Sequence, residues 1–171
     1  MREGPVPEVV VRAGRGEDLV AINDIYNHYV LETAVTFEVE PVTIAARREW
    51  LGHYAPTGHH RLLVAVAGDA VLGYATSSGY QVRAAYETSV EVSVYLDPGQ
   101  VGRGVGSRLY AELLAALEPE DLHRAYGGVA MPNPASVALH ERFGFRRAGY
   151  FTEQGRKFGR YWDVAWYEKE L

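Results

Sequence analysis

From Thr88 to Leu96 polar and apolar residues alternate, and from Val105 to Leu117 apolar residues recur every fourth position. The first pattern predicts a strand over 88–96, with Ser89, Glu91, Ser93 and Tyr95 on one face and Val90, Val92, Val94 and Leu96 on the other. The second predicts a helix over 105–117 whose face is Val105, Leu109, Leu113 and Leu117, closed by Pro119. Upstream, residues 8–13 read as a short β-branched strand. Leu19, Ile22, Ile25, Tyr26, Tyr29 and Val30 at helical spacing predict a helix over 17–31, with Glu17 and Asp18 suited to its electropositive first turn. Thr43 is a good N-cap for a helix reaching about Tyr54, stopped by Pro56 and Gly58. The runs 61–67 and 70–80 read as partner strands across Gly68-Asp69. Downstream come a strand over 122–131 and a short helix from Asn133-Pro134 to about Phe143, ended by Gly144. Two last strands, 145–153 and 161–169, flank a turn at Gly155 to Gly159. The order β-α-α-β-β-β-α-β-α-β-β predicts an α/β (α+β) mixed sheet flanked by helices, not a doubly wound dinucleotide fold.

Composition narrows the possibilities. The 171 residues, 47% hydrophobic and 23% charged, suit one domain over 1–171 that buries its own core. No apolar run approaches the roughly 20 residues that cross a bilayer. The N-terminal MREGPVPEVVVRAG lacks the basic and apolar regions of an export signal, so a cytoplasmic protein without a membrane partner is expected. Seventeen basic against 22 acidic residues, a net charge of −5, argue against a nucleic-acid partner. The chain has no cysteine, which removes disulfides, thiolate metal sites and a cysteine nucleophile. His59-His60 is an adjacent pair without a third ligand at suitable spacing, and no metal is expected.

The stretch Gly99 to Ser107 joins the alternating strand to the helix after it, and it holds Gly102, Gly104 and Gly106. Glycines let backbone approach a ligand, and free amides at a helix start bind anions. A ligand-free strand-to-helix connection has the same composition. No Gly-Lys-Ser/Thr follows, which excludes a P-loop, and Ser107 or Leu109 stands where G-x-G-x-x-G needs its third glycine.

Gly102-Arg103-Gly104-Val105-Gly106-Ser107 resembles the acetyl-CoA signature of the GNAT acyltransferase superfamily, Gln/Arg-x-x-Gly-x-Gly/Ala. Val101 occupies the Gln/Arg position, with Gln100 one residue early. Further segments are similar to one branch, the phosphinothricin and methionine sulfoximine N-acetyltransferases. They are Tyr26-Asn27-His28-Tyr29, Arg83-x-x-Tyr86, Val90-Glu91-x-Ser93-Val94-Tyr95, Pro132-Asn133 with Ser136 and Leu139-His140-Glu141, and Lys157 to Val164.

The resemblance implies direct transfer from acetyl-CoA to a small amino-acid-like amine. It implies that Val94, Tyr95 and Leu96 pair with the pantetheine arm, and that the loop amides cradle pyrophosphate beside Arg103. It also implies Glu91 as general base, with an exposed strand carboxylate as the alternative. Asn133, Ser136 and His140 fall on one helix face, the first and last about 10 Å apart along the axis. In many superfamily members a tyrosine at the His140 position protonates the leaving thiolate, and an imidazolium can do the same near neutral pH; a packing histidine is the alternative. Asn133 either serves only as an N-cap or caps and touches coenzyme A through different atoms. Arg83 and Tyr86 are candidates for holding an anionic acceptor, unless Arg83 is simply exposed. Phe37 and Tyr29 either wall the pocket or belong to the core. A homodimer is implied by the family resemblance; the tail strand with Tyr161, Trp162, Trp166 and Tyr167 either joins its interface or simply finishes the core. The sequence leaves two alternatives: acetylation of another amine, such as a polyamine or a protein N-terminus, and a non-catalytic acyl-CoA-binding module. Detoxification of an antibiotic and acetylation of a housekeeping metabolite would need the same pocket chemistry.

Overall fold

The computed structural model describes residues 8–171, so most of the stretch before the first strand lies outside the described residues. Seven strands form one sheet: β1 (Val9–Ala13), β2 (Leu62–Ala67), β3 (Ala70–Gly79), β4 (Ser89–Leu96), β5 (Arg124–Ala130), β6 (Arg146–Lys157) and β7 (Arg160–Glu170). Their spatial order is β1-β2-β3-β4-β5-β7-β6, and β4–β5 is the parallel pair. Helices α1 (Leu19–Glu32) and α2 (Ile44–Leu51) cover one face; α3 (Val105–Leu117) and α4 (Pro134–Arg142) cover the other.

The alternation in β4 sorts residues between the two layers. Val90 and Val92 are buried with Leu109, Leu113 and Leu117 of α3, while Tyr95 packs toward α1. Leu109 is fully buried in that core. Leu109→Ala is expected to destabilise the protein by about 2–5 kcal/mol, through lost transfer energy plus a cavity in an interior that relaxes only partly. The denaturant midpoint in urea tests this, and an unchanged midpoint would contradict the packing described.

The caps follow local chemistry. Thr43 Oγ1 accepts from the Ala46 amide (3.2 Å) and Asn133 Oδ1 from the Ser136 amide (3.1 Å). The second helix ends at Leu51, three residues before the expected end, with Gly52 as its C-cap. The last hairpin differs more from expectation. Its turn is Phe158-Gly159, and β6 continues through Gly155 with its register shifted between Phe151 and Gly155. Asp163 holds this irregular stretch: its carboxylate accepts from the Glu153 amide (2.7 Å) and the Tyr150 hydroxyl (2.8 Å). Among the described residues no helix is long and apolar enough to cross a membrane.

Candidate active site

The parallel pairing of β4 with β5 covers only Ser89, Val90 and Glu91, opposite Arg124, Ala125 and Tyr126. Beyond Glu91, β4 keeps its β3 partner through Leu96, while β5 runs on beside β7 to Ala130. The two central strands therefore part at Glu91. The Asp97 amide bonds to the Leu72 carbonyl on the β3 side (2.9 Å). By strand alternation, Val94 and Leu96 turn their backbone groups toward the opening. Tyr29 donates its hydroxyl to the Leu96 carbonyl (2.8 Å), which leaves the Leu96 amide and both Val94 groups available there.

The glycine loop leads from this edge into α3. Gly102 and Gly104 have φ of +80° and +81°, a left-handed backbone that disfavours side chains, although a Cβ at either would meet nothing. Arg108 donates the first bond to the Gly104 carbonyl (3.1 Å), so the amides of Val105, Gly106 and Ser107 point out of the helix N-terminus. Gly106 lies against Leu96 and Leu139, which brings that N-terminus to the end of β4 and beside α4. Val101 is 53% exposed and contributes no polar side chain.

On the α1/α2 face, Ser89, Glu91 and Ser93 project from β4 in a row. Ser93 lines a cavity of ≈ 270 Å³ together with Arg47, Trp50, Tyr54, Thr76 and Ser78; Ser89 lines a second depression of ≈ 450 Å³ with Arg83, Tyr86 and His59. Glu91 stands between the two, paired in register with Ser78. It is partly buried, and desolvation raises its carboxyl above the usual range.

A family model described as an acetyltransferase (GNAT) domain matches residues 11–166. The chain belongs to the GNAT acetyltransferase family. It is 58% identical over 166 residues, 96% of this chain and 97% of the relative, to a phosphinothricin N-acetyltransferase of Streptomyces coelicolor. It is 33% identical, over 90% of each chain, to an L-methionine sulfoximine/L-methionine sulfone acetyltransferase of Pseudomonas aeruginosa. The yncA protein of Salmonella typhimurium, a putative acetyltransferase solved with its cofactor acetyl-CoA, superposes with a TM-score of 0.92 at 30% identity, covering 96% of this chain and 94% of that one.

In this acetyltransferase His140 has surroundings other than those the sequence suggests. The ring is 5% exposed. Its Nδ1 lies 2.8 Å from the Ser136 carbonyl, which can only accept, so Nδ1 carries the hydrogen and Nε2 accepts from the Tyr110 hydroxyl (2.9 Å). Burial lowers its pKa, so the neutral ring, not the expected imidazolium, is the form favoured near neutral pH. The ring presents its Nε2 edge to Gly127, the first β5 residue beyond the last β4–β5 pair.

The expected acceptor residues do not share one pocket. Arg83 and Tyr86 are exposed and border the outer depression. Phe37 packs on Gly155 of β6, and the Tyr29 ring sits edge-on to Tyr95, its centroid 5.5 Å away. Neither belongs to the wall of the inner cavity, which Tyr26 joins instead. His59 is engaged through Nδ1 by the Glu87 carbonyl (3.1 Å).

Arg47, Trp50, Tyr54 and Tyr74 are not among the expected site residues, although Arg47 and Trp50 stand at helical i, i+3 spacing, which brings their side chains together. Their loop partner is held by side chains from α1. The Val42 carbonyl accepts from Asn23 and Asn27 (both 2.9 Å), and the Val42 amide donates to Asn27 Oδ1 (2.8 Å). Lys157 is buried and donates to the Thr36 carbonyl (2.8 Å), with its pKa lowered by desolvation. Inside the cavity, burial pushes the Tyr54 hydroxyl up to about 12.

Proposed function

We propose that this acetyltransferase moves the acetyl group of acetyl-CoA to the amine of a small amino acid, with L-methionine sulfoximine and L-phosphinothricin as model acceptors. The parting of β4 from β5 at Glu91, with a glycine loop and a helix N-terminus at its far end, carries this reading. The Val94 and Leu96 backbone receives the pantetheine arm as an added strand, beside Tyr95, and an amide there polarises the thioester carbonyl. The Gly102–Ser107 segment holds pyrophosphate, with Arg103 adding charge and Val101 contributing only its backbone. The side chain of Asn133, already a cap through Oδ1, offers Nδ2 to the coenzyme, and Ser136 offers its hydroxyl.

The acceptor nitrogen attacks the acetyl carbonyl carbon, a C–N bond forms, the C–S bond breaks, and the ammonium proton leaves for Glu91, directly or through one water. Its raised pKa makes Glu91 a better base than an exposed carboxylate. Only as the imidazolium, its minority form near neutral pH, can His140 protonate the thiolate; that proton leaves from Nδ1 by way of Ser136 Oγ, 3.5 Å away, and the ring returns to neutral. Arg83 and Tyr86 meet the distal end of the acceptor, and Phe37 and Tyr29 stiffen the loop and strand around it.

Exposed Tyr150, Phe151, Phe158 and Tyr161 on the β6–β7 hairpin support a homodimer contact. Dependence on acetyl-CoA and the absence of cysteine suit the cytoplasm.

Thiol release from acetyl-CoA tests the reading, free of background because the protein has no thiol of its own. Release is expected with the two amino acids and not with a polyamine or a peptide; the reverse selectivity would overturn it. Glu91 must be ionised to act, so kcat/KM is expected to fall as pH drops through a value above the ordinary carboxylate range. A profile flat down to the ordinary range would remove Glu91 as the base.

A further inference from the structure

We propose that Arg47 anchors the acceptor amino acid by its α-carboxylate, a role that rests on the amino-acid reading above. Arg47 is 3% exposed and lines the inner cavity. Its guanidinium carbon lies over two rings, 4.4 Å from the Tyr26 ring centroid and 4.6 Å from that of Trp50. Its Nε donates to Asn23 Oδ1 (3.1 Å), and Asn23 is itself fixed by the Val42 carbonyl.

Arg47 Nη2, in contrast, has no hydrogen-bond partner, and no other buried side-chain nitrogen or oxygen among the described residues is in that condition. No carboxylate among the described residues forms an ion pair with it. A buried guanidinium with an idle donor is unfavourable unless something else accepts from it. Arg47 as a whole lines a cavity large enough for a small amino acid, so a ligand bound there can bring the missing acceptor.

The surroundings select the class of anion. A planar carboxylate matches the guanidinium edge, and the stacked rings hold that edge pre-oriented. Glu38 lines the same cavity, so a polyanion would be repelled, whereas a zwitterion brings one charge of each sign. Coenzyme phosphates are excluded by position, because α2 lies on the sheet face opposite α3. Ser78 and Ser93 border both the cavity and Glu91, which places the bound amino acid beside the base. Arg83, on the other side of Glu91, is hydrated and binds a carboxylate more weakly.

Calorimetric titration of the protein loaded with coenzyme A, which permits no transfer, tests the assignment. The probes are L-methionine sulfoximine, whose formal negative charge is the carboxylate, and its methyl ester. Wild type is expected to bind the acid at least about tenfold more tightly than the ester. Arg47→Gln is expected to erase that preference by weakening the acid alone, and Arg47→Lys to fall between, since a point charge cannot both stack and reach. If Arg47→Gln does not fold, Arg47→Lys carries the test. A preference that survives substitution, equal weakening of acid and ester, or no binding to wild type would overturn the inference. Turnover separates it from the function: acetylation without Arg47-dependent binding overturns the anchor alone, and Arg47-dependent binding without acetylation overturns the proposed reaction alone.

Discussion

Replacing Glu91 with glutamine is expected to lower kcat by about two to four orders of magnitude, the range typical for loss of a general base, while acetyl-CoA affinity stays within a few fold. Glutamine keeps the shape and hydrogen-bonding length of the side chain but cannot accept the ammonium proton. The coenzyme surfaces, β4 backbone and the start of α3, do not involve the Glu91 side chain.

Stability makes the test sharper. Burial raises the Glu91 pKa in the folded state above its unfolded value, so folding favours the protonated form. That contribution is present at acid pH and is lost as pH rises through the folded pKa, leaving an ionised, desolvated carboxylate at neutral pH that opposes folding. Glu91→Gln is therefore expected to melt at or above the wild-type temperature at pH 7 while being nearly inactive. A variant that is inactive because it is less stable, or one with wild-type kcat, would remove Glu91 from the chemistry.

The second large effect is expected at Gly127. A Cβ there would clash with His140 Nε2 and fall 2.9 Å from Cδ2. The ring cannot retreat cheaply: Ser136 holds one nitrogen and Tyr110 the other, and Phe145 and Tyr167 pack about it with centroids 5.2 and 5.4 Å away. Gly127→Ala is expected to destabilise the protein by about 1–3 kcal/mol, through overpacking and a Tyr110 hydroxyl left without its acceptor. Turnover should fall by about tenfold or more, because the displaced ring lies where the strands part. Gly128→Ala is the control. Its Cβ would meet Trp166 at 3.3 Å, a contact relieved by a shift of a few tenths of an ångström, and less than about 1 kcal/mol is expected. Urea unfolding and kcat for the pair decide it. Equal, small effects at both glycines would mean that His140 is not clamped against β5.

Much of the architecture was legible because its signals are local. The α3 helix begins and ends where its periodicity and Pro119 indicate, and β4 presents Glu91 and the valines to opposite layers as alternation requires. Caps at Thr43 and Asn133 depend on atoms three residues away. The last hairpin was misread for a complementary reason. Gly155 looks like a turn residue, yet it serves close packing against Phe37, more than a hundred positions away in the chain.

The same division runs through the site. Sequence by itself determined the family, the helix N-terminus that follows the glycine loop, and the residue types able to accept or donate a proton, since each is set by neighbours along the chain. Tertiary structure alone decided where β4 leaves β5, which nitrogen of His140 carries its hydrogen, that Arg83 is hydrated, and that Arg47 is buried with a free donor. Those properties arise when distant segments exclude water from a shared space and thereby set burial, tautomer and charge, which no local pattern encodes.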